Sequence, residues 1–451
     1  MNTQLKGGIR IAQFSDLHFS SATLAEVGKC LDSAVTDAIE AKVDVAIFTG
    51  DSTDHKQDAH SPALLSLVQQ VQRMANHCPV LMLQGTFSHE PAGMLHLFRF
   101  IGAKHPIEVA DRLGQIGLFG NTWRTVQSAQ DLPGSRLLVS CVPTVNKGDL
   151  VGAVGAERVA EAMGDALAGL MTGVFSPVNR VARTSGIPTV LIGHGTVNGS
   201  VTESGVPMAG LDHEFSTGAI YGAMCSAAML GHIHRHQVWE RDHEGVHQVI
   251  AYPGSIGRNH YGEQGNKGFL VWDVTASAAA YQFVVTPSCR MVDFNFTGVP
   301  DLEYLRANID DCRDAFVRVR YEIDAENAAS VDRKAIQAVL SVAQEVRIEG
   351  RVLPVQRQRC AGISRASSLA EKLTKWCEST GNEAAEIVPR VQMLESSDAR
   401  TVAANIIKGV FHEANLEVGR IDDGSHGTVA GVAGSVGLDV AVGHISQQGL
   451  H

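Results

Sequence analysis

The sequence predicts an α/β protein in which polar side chains collect where the strands end. Several short apolar segments are predicted as strands, and each is followed at once by glycine, aspartate or histidine. Segments with apolar residues at helical spacing lie between them, as at 23–41. At 451 residues, with 44% hydrophobic and 19% charged residues, the chain can bury a sizeable core and form two or three domains.

The predicted elements alternate along the first part of the chain. The predicted strands are 9–14, 43–48, 80–83, 188–192 and the apolar run that ends at Gly231. A second helix is predicted at about 61–76, with Ser61 as its N-cap and Pro62 at its first helical position. In open α/β sheets, ligands bind beyond the carboxyl ends of the strands. One fold would therefore bring the polar strand ends into a single site.

The charge and the cysteines exclude some classes of protein. A net charge of -11 argues against binding nucleic acid through bulk electrostatics alone, although a local basic groove or metal-neutralised carboxylates stay possible. The eight cysteines occur singly, which favours reduced thiols over a disulfide framework or a zinc knuckle. Residues 1–10 contain no apolar signal segment, and no apolar run is long enough to span a bilayer. We expect a cytoplasmic protein without a membrane partner.

The residues at the strand ends have the chemistry of metal ligands. Taken alone, the two histidines of Gly231-His232-Ile233-His234 favour a solvated turn, but five strand ends that share ligand chemistry favour a metal centre. Carboxylates and imidazoles without thiolates favour manganese or iron over zinc. Two cations that share Asp51 would use all of these groups. The candidate ligands are Asp16, His18, Asp51, His194, His232 and His234.

The order of these motifs resembles that of the calcineurin-like metallophosphoesterases, and within them the SbcD-type DNA repair nuclease family. The motifs are D-x-H, G-D, a histidine segment, G-H and G-H-x-H. Three further segments resemble the SbcD-type pattern that follows the last metal motif. They are Tyr252-Pro253-Gly254-Ser255-Ile256, Tyr261-Gly262-Glu263 and Lys267-Gly268-Phe269. The resemblance implies a layered metallophosphoesterase fold, a β-sandwich flanked by helices.

The resemblance also implies a role for each candidate. One metal ion would be bound by Asp16, His18 and His234. The second would be bound by His194 and His232, with Asp51 as the bridge between the two. His89 would be the catalytic histidine that stabilises the transition state and protonates the leaving oxygen.

The segment before His89 departs from the family pattern. The family has G-N-H, in which the asparagine is a ligand of the second metal, whereas Gly85 and His89 are separated by Thr86-Phe87-Ser88. Either Ser88 supplies a weaker oxygen ligand or a water replaces it. In both cases the second metal is expected to bind less tightly.

We divide the chain into a nuclease domain (1–287), a DNA-capping α+β domain (288–358), a helical segment (359–418) and a Gly-rich tail (419–451). The cap is predicted from an alternating strand at 316–323, a helix around 336–343 and a strand at 351–355. Two helices are predicted in the helical segment, at about 369–379 and 399–413. Arginines around 351–365 either form a solvated surface or contact DNA phosphates. The candidate DNA-binding residues are Arg351, Arg357 and Arg359.

The resemblance implies a metal-dependent DNA nuclease, a 3'-5' exonuclease on double-stranded ends and an endonuclease on single strands. It would use two divalent ions, with manganese favoured over magnesium, iron or zinc. Its partners would be DNA, an SbcC-type SMC-like ATPase that docks on the helical segment, and a second copy in a homodimer. Two alternatives stay open. One is a phosphodiesterase or phosphatase for small molecules or phosphoproteins, and the other is a non-catalytic, metal-stabilised subunit that recruits DNA or the ATPase.

Overall fold

The computed structural model describes residues 7–144, 159–202, 206–207, 214–261, 263, 265–354, 362–385 and 387–418. The chain divides into two compact units, Met1–Val355 and Gln356–His451. Arg357, Arg359 and the predicted Gly-rich tail lie outside the described residues.

The described residues of the first unit form three main sheets and a two-stranded ribbon. Its strands are β1 (Ile9–Phe14), β2 (Val45–Phe48), β3 (Val80–Leu83), β4 (Ile107–Ala110), β5 (Gly114–Phe119), β6 (Thr122–Val126), β7 (Ser135–Val142), β8 (Thr189–His194), β9 (Thr196–Val197), β10 (Glu214–Phe215), β11 (Ala227–Gly231), β12 (Gln237–His243), β13 (Val246–Tyr252), β14 (Gly268–Val274), β15 (Ala279–Val285), β16 (Met291–Thr297), β17 (Phe316–Asp324) and β18 (Glu345–Leu353). Its helices are α1 (Leu24–Glu40), α2 (Pro62–His77), α3 (Val159–Leu170), α4 (Ser176–Thr184), α5 (Thr217–Gly222), α6 (Leu302–Ala307), α7 (Ile309–Cys312) and α8 (Arg333–Val339).

Two large mixed sheets form the body of this unit. The first sheet has the order β15-β14-β1-β2-β3-β4, and the second has the order β12-β13-β11-β8-β7-β5-β6. Strands β1 to β4 are parallel, as are β7, β8, β11 and β13, while each of the remaining strands of the two sheets pairs antiparallel with its neighbours. The strands that precede the candidate ligands therefore run in parallel within each sheet.

The two sheets pack face to face because their strands are apolar on both sides. In β2, Val45 and Ile47 contribute to the core between the sheets, whereas Ala46 and Phe48 pack in the core that contains residues of α1 and α2. Strand β8 does the same in the second sheet, whose outer face packs with residues from α3 and α5. The result is a helix-sheet-sheet-helix sandwich. The layered α/β fold predicted from the sequence is confirmed.

A third, smaller sheet follows within the first unit. Strands β16, β17 and β18 are all parallel, and α6 to α8 bury one face of the sheet. The prediction of a strand at 351–355 was wrong at its start, since β18 already begins at Glu345. Charged residues fill much of β18 because the opposite face of this sheet is open, and this composition hides the strand from an apolar pattern.

In the described part of the second unit there are three helices, α9 (Leu369–Thr380), α10 (Ile387–Ser396) and α11 (Ala399–Val418). The sequence predicted only the first and the last. Several large apolar side chains of this unit are exposed, among them Leu369, Trp376, Leu394, Ile406 and Ile407. Among the described residues, no helix has the length and apolar character required to cross a bilayer.

Candidate metal centre

The candidate ligands converge where the carboxyl ends of the two sheets meet. The loops that follow β1 and β2 stay paired beyond the strands, with Asp16 N donating to Gly50 O at 3.2 Å and His18 N to Asp51 O at 3.0 Å. The loops that follow β8 and β11 are joined in the same way, by Gly195 N donating to Gly231 O at 3.2 Å. This continued pairing places all of the strand ends around one site.

Four of the candidate ligands have a left-handed backbone. The φ angles are 50° at Asp16, 48° at His18, 52° at Asp51 and 104° at His232. Such values cost non-glycine residues roughly 1–3 kcal/mol each and collect at functional sites. At these positions the chain must leave a strand sharply, and this turn directs the side chain past the end of the sheet.

Two glycines allow the two sheets to approach each other here. A Cβ on Gly231 would lie 2.1 Å from Thr49 O, and a Cβ on Gly50 would lie 2.3 Å from His194 Nδ1. Both distances are shorter than any van der Waals contact. Glycine at the end of β11 and after β2 is therefore required for the ligands of the two sheets to meet.

The first cluster consists of Asp16, His18 and His234, each of which offers a ligand atom within 4.8 Å of the others. The Asp16 carboxylate accepts hydrogen bonds from His232 N at 2.9 and 3.1 Å and from Ser15 Oγ at 2.7 Å, which orient it. The Nε2 atoms of His18 and His234 lie 2.9 Å apart.

The second cluster consists of Asp51, His194 and His232, again within 4.8 Å of one another. His194 Nδ1 donates to Thr49 O at 2.8 Å, so its Nε2 faces the cluster, 3.2 Å from Asp51 Oδ2. Thr86 also reaches this cluster. Its hydroxyl lies 3.3 Å from Asp51 Oδ2 and 3.2 Å from His194 Nε2.

Asp51 belongs to both halves of the site. Its Oδ2 is 3.2 Å from His194 Nε2 and 4.0 Å from His18 Nε2, and the carboxylate is almost fully buried. Burial raises the pKa of Asp51, but the imidazoles of His194, His18 and His89 together outweigh burial and hold the pKa well below its usual range. Burial likewise lowers the pKa of His194, yet the Asp51 carboxylate raises it to about 10.

The donor set fits two divalent metal ions. The carboxylate of Glu263 can only accept, so the Nδ1 of His234 is the donor at 3.1 Å and its Nε2 lone pair points at His18. Two facing imidazole nitrogens at 2.9 Å need a proton or a cation between them. Asp51 Oδ2 and His194 Nε2, which lie 3.2 Å apart, likewise need a proton or a cation between them. A bound metal ion would take the place of that proton. Two cations held around one carboxylate suit the hydrolysis of phosphate esters.

A buried ion pair between Lys267 and Glu263 contacts His234 and holds it in place. Lys267 Nζ lies 2.8 Å from Glu263 Oε2 and donates to His234 O and to Ser255 Oγ, both at 2.9 Å. Burial raises the pKa of Glu263, but its hydrogen bond with His234 and the Lys267 charge lower it to about 2. Ser255, Glu263 and Lys267 come from the three segments that resemble the SbcD-type pattern, so these segments form one support for a candidate ligand.

His89 lies at the open side of the site. Its ring meets that of His18 edge-on, with centroids 4.7 Å apart, and it is half-buried. Its Nδ1 donates to Asp54 O at 2.6 Å, because a carbonyl can only accept. This bond leaves Nε2 of His89 for exchange of a proton with a bound substrate.

Sequence reasoning missed the role of Glu90. Its buried carboxylate accepts from Ser52 N at 2.5 Å and Gly85 N at 2.6 Å, so it ties together the loops that follow β2 and β3. Burial and the charge of Asp51 raise the pKa of Glu90 to about 7. The signal that the sequence offered was an acidic residue directly after His89.

Two of the predicted roles lack a matching contact. Ser88 is exposed, while the Thr86 hydroxyl is the one that reaches Asp51 and His194. Arg351 forms an exposed ion pair with Glu322 at 2.7 Å, so it is already partnered within the third sheet. The assignments of Ser88 as a ligand and Arg351 as a DNA contact stay predictions.

We predict that Lys267→Met destabilises the protein by roughly 3–5 kcal/mol, because the Glu263 carboxylate would stay buried without its cation. Urea denaturation measures this change. Lys104→Met is the matched control, since Lys104 is exposed and should change little. The double variant Lys267→Met, Glu263→Gln should recover part of the loss, and equal stability of the single and double variants would contradict this account.

The comparisons with known proteins find matches among solved structures alone. No family model matches it, and no curated protein matches it. Solved structures do match, among them one described as a dimetal phosphatase from Danio rerio. The two chains are 10% identical, with a TM-score of 0.32, over 61% of this chain and 98% of the other.

Proposed function

We propose that the protein is a metal-dependent phosphoesterase whose substrate is DNA, cleaved at phosphodiester bonds with manganese as the preferred ion. The observation that carries the proposal is the position of Asp51 Oδ2, between the imidazole of His18 at 4.0 Å and that of His194 at 3.2 Å. One carboxylate between two ligand clusters can hold two cations close together, as two-metal hydrolysis of phosphate esters needs.

The chain contributes orientation and proton transfer. The first ion would be held by Asp16, His18 and His234, the second by His194 and His232, and Asp51 would contact both. When bound, the ions would supply charge stabilisation at the phosphate and a more acidic water. His89, with Nδ1 fixed on Asp54 O, would present Nε2 to the leaving oxygen and protonate it.

Two features support DNA as the substrate over a phosphoprotein. The side chains that resemble the SbcD-type pattern act together in this structure, as the network of Ser255, Glu263 and Lys267 around His234. In addition, the aromatic side chain of Phe87 is 37% exposed in the short loop between Thr86 and His89. An exposed ring beside a phosphate site suits stacking on a nucleobase.

We further propose an SMC-like ATPase of the SbcC type as the partner of the second unit. The described helices of this unit leave large apolar side chains exposed, including Leu394 at 58%, Ile406 at 54% and Ile407 at 54%. Amphipathic helices of this kind bind to an apolar groove or to another helix. The coiled coil of such an ATPase would offer that surface.

We expect His89→Ala to lower kcat on DNA by about 100- to 10,000-fold, because it removes the proton donor for the leaving oxygen. The assay uses end-labelled duplex, a single-stranded oligonucleotide, a small aryl phosphodiester and a phosphopeptide, each with Mn²⁺. His243→Ala is the control, since His243 is an exposed residue at the end of β12.

The substrate panel separates the candidate functions. Hydrolysis of the aryl phosphodiester or the phosphopeptide without cleavage of either DNA would refute the nuclease proposal. A protein that binds Mn²⁺ fully and hydrolyses no substrate would instead be a non-catalytic subunit.

Phe87→Ala should raise KM for single-stranded DNA by roughly 5- to 150-fold, the equivalent of about 1–3 kcal/mol of base stacking. The aryl phosphodiester should show little change, because it carries no nucleobase. Phe100→Ala serves as the control, since Phe100 is an exposed aromatic residue on the short helix Met94–Phe100. A similar loss on both substrates would mean that Phe87 only supports the loop.

Replacement of both Ile406 and Ile407 by serine should weaken binding of an SMC-like ATPase from the same genome at least about tenfold, because two central apolar contacts are lost. Calorimetry with the purified ATPase measures the affinity. Leu65→Ser, an exposed apolar position on α2, is the control. Unchanged affinity of the double variant would exclude this face of α11 as the docking site.

A further inference from the structure

We infer that the Thr86 hydroxyl is a ligand of the second metal site, and that the two sites therefore bind ions with unequal affinity. The inference rests on the proposed two-metal centre. It adds the order in which the two sites bind their metal ions. It assigns to Thr86 the place at which the resembling family has an asparagine.

The backbone holds Thr86 against the second cluster. Thr86 N donates to Asp51 Oδ1 at 2.7 Å. The preceding Gly85 has no room for a side chain, since a Cβ there would lie 2.2 Å from Asp51 N and 2.4 Å from Asp51 Oδ1. Glu90 fixes the same loop by accepting from Gly85 N at 2.6 Å. Thr86 is thus positioned by its own backbone N–H and by the constraints on Gly85, and none of these involves its hydroxyl.

The hydroxyl itself faces two ligand atoms of one cluster. Thr86 Oγ1 lies 3.3 Å from Asp51 Oδ2 and 3.2 Å from His194 Nε2. A hydroxyl that donates its proton to a carboxylate keeps its lone pairs as acceptors. An ion bound by Asp51 and His194 would therefore meet a third ligand atom, the Thr86 hydroxyl oxygen. Ser88, two residues later, is exposed instead.

The donor sets of the two sites differ in charge. The first site combines the carboxylates of Asp16 and Asp51 with two imidazoles. The second shares Asp51 and has two imidazoles, but its remaining protein donor is a neutral hydroxyl. Hard divalent cations prefer anionic oxygen donors, and a hydroxyl is a poorer donor than an amide carbonyl. The first site should fill before the second, so the supply of free metal would limit the fully loaded state.

Titration of the metal-free protein with Mn²⁺ by calorimetry tests the inference, with bound metal counted by elemental analysis. The wild type should bind two ions in two separable steps. Thr86→Val should weaken the second step by about 10- to 100-fold and leave the first unchanged. Thr86→Asn should tighten the second step, and Thr86→Ser should behave as the wild type because it keeps the hydroxyl. Ser88→Ala removes the alternative candidate oxygen and should bind both ions as the wild type does, because Ser88 is exposed.

Several outcomes would overturn the inference. These are an unchanged second step in Thr86→Val, a weakened second step in Ser88→Ala, or two wild-type steps of equal affinity. If Thr86→Val fails to fold, as circular dichroism would show, the other two variants still decide the question, since Thr86→Asn is expected to tighten the second step and Thr86→Ser to leave it unchanged. Because the readout is ion binding without substrate, failure of the phosphoesterase proposal would appear separately, as normal two-step binding without hydrolysis.

Discussion

The buried carboxylate of Asp51 is the constraint on which the site depends. It lies at the end of β2, 2% exposed, between imidazoles that arrive from β1 and β8. A charge removed from water costs several kcal/mol unless opposite charges or hydrogen bonds surround it. Here Thr86 N, His194 and His18 supply them, so the two sheets must meet at this point for the carboxylate to be tolerated.

This requirement explains why so much local strain is concentrated in a few residues. Two local features are unfavourable when taken alone. They are the close approach of the two sheets at Gly231 and the left-handed backbone at Asp16, His18, Asp51 and His232. The apolar core between the two sheets holds the strands in place and offsets this cost. Within that core, Gln13 joins the sheets by donating to Leu230 O at 3.0 Å. The site is therefore preorganised by the packing beneath it.

The loop that supports His234 also connects the site to the third sheet. Glu263 and Lys267 contact His234 and hold it in place. Tyr261 belongs to the same loop, and the guanidinium of Arg318 lies over the Tyr261 ring, 4.5 Å from the ring centroid. Arg318 in turn pairs with Asp293 at 2.8 Å. A substrate or partner that shifts the third sheet would thus act on a loop that orients a candidate ligand.

The sequence by itself determined the strands that precede the candidate ligands, the helices between the first three of these strands, and the aspartates and histidines that follow them, because local periodicity and ligand chemistry are visible within a few residues. It indicated neither β18 from Glu345 nor α10, whose polar or mixed composition hides the pattern. Only the tertiary structure decided that Thr86 and not Ser88 reaches the second cluster, and that Glu90 joins two loops. These contacts join residues 35 or more positions apart or depend on the turn that a short loop takes, and the backbone path that sets them is fixed only when both sheets are packed.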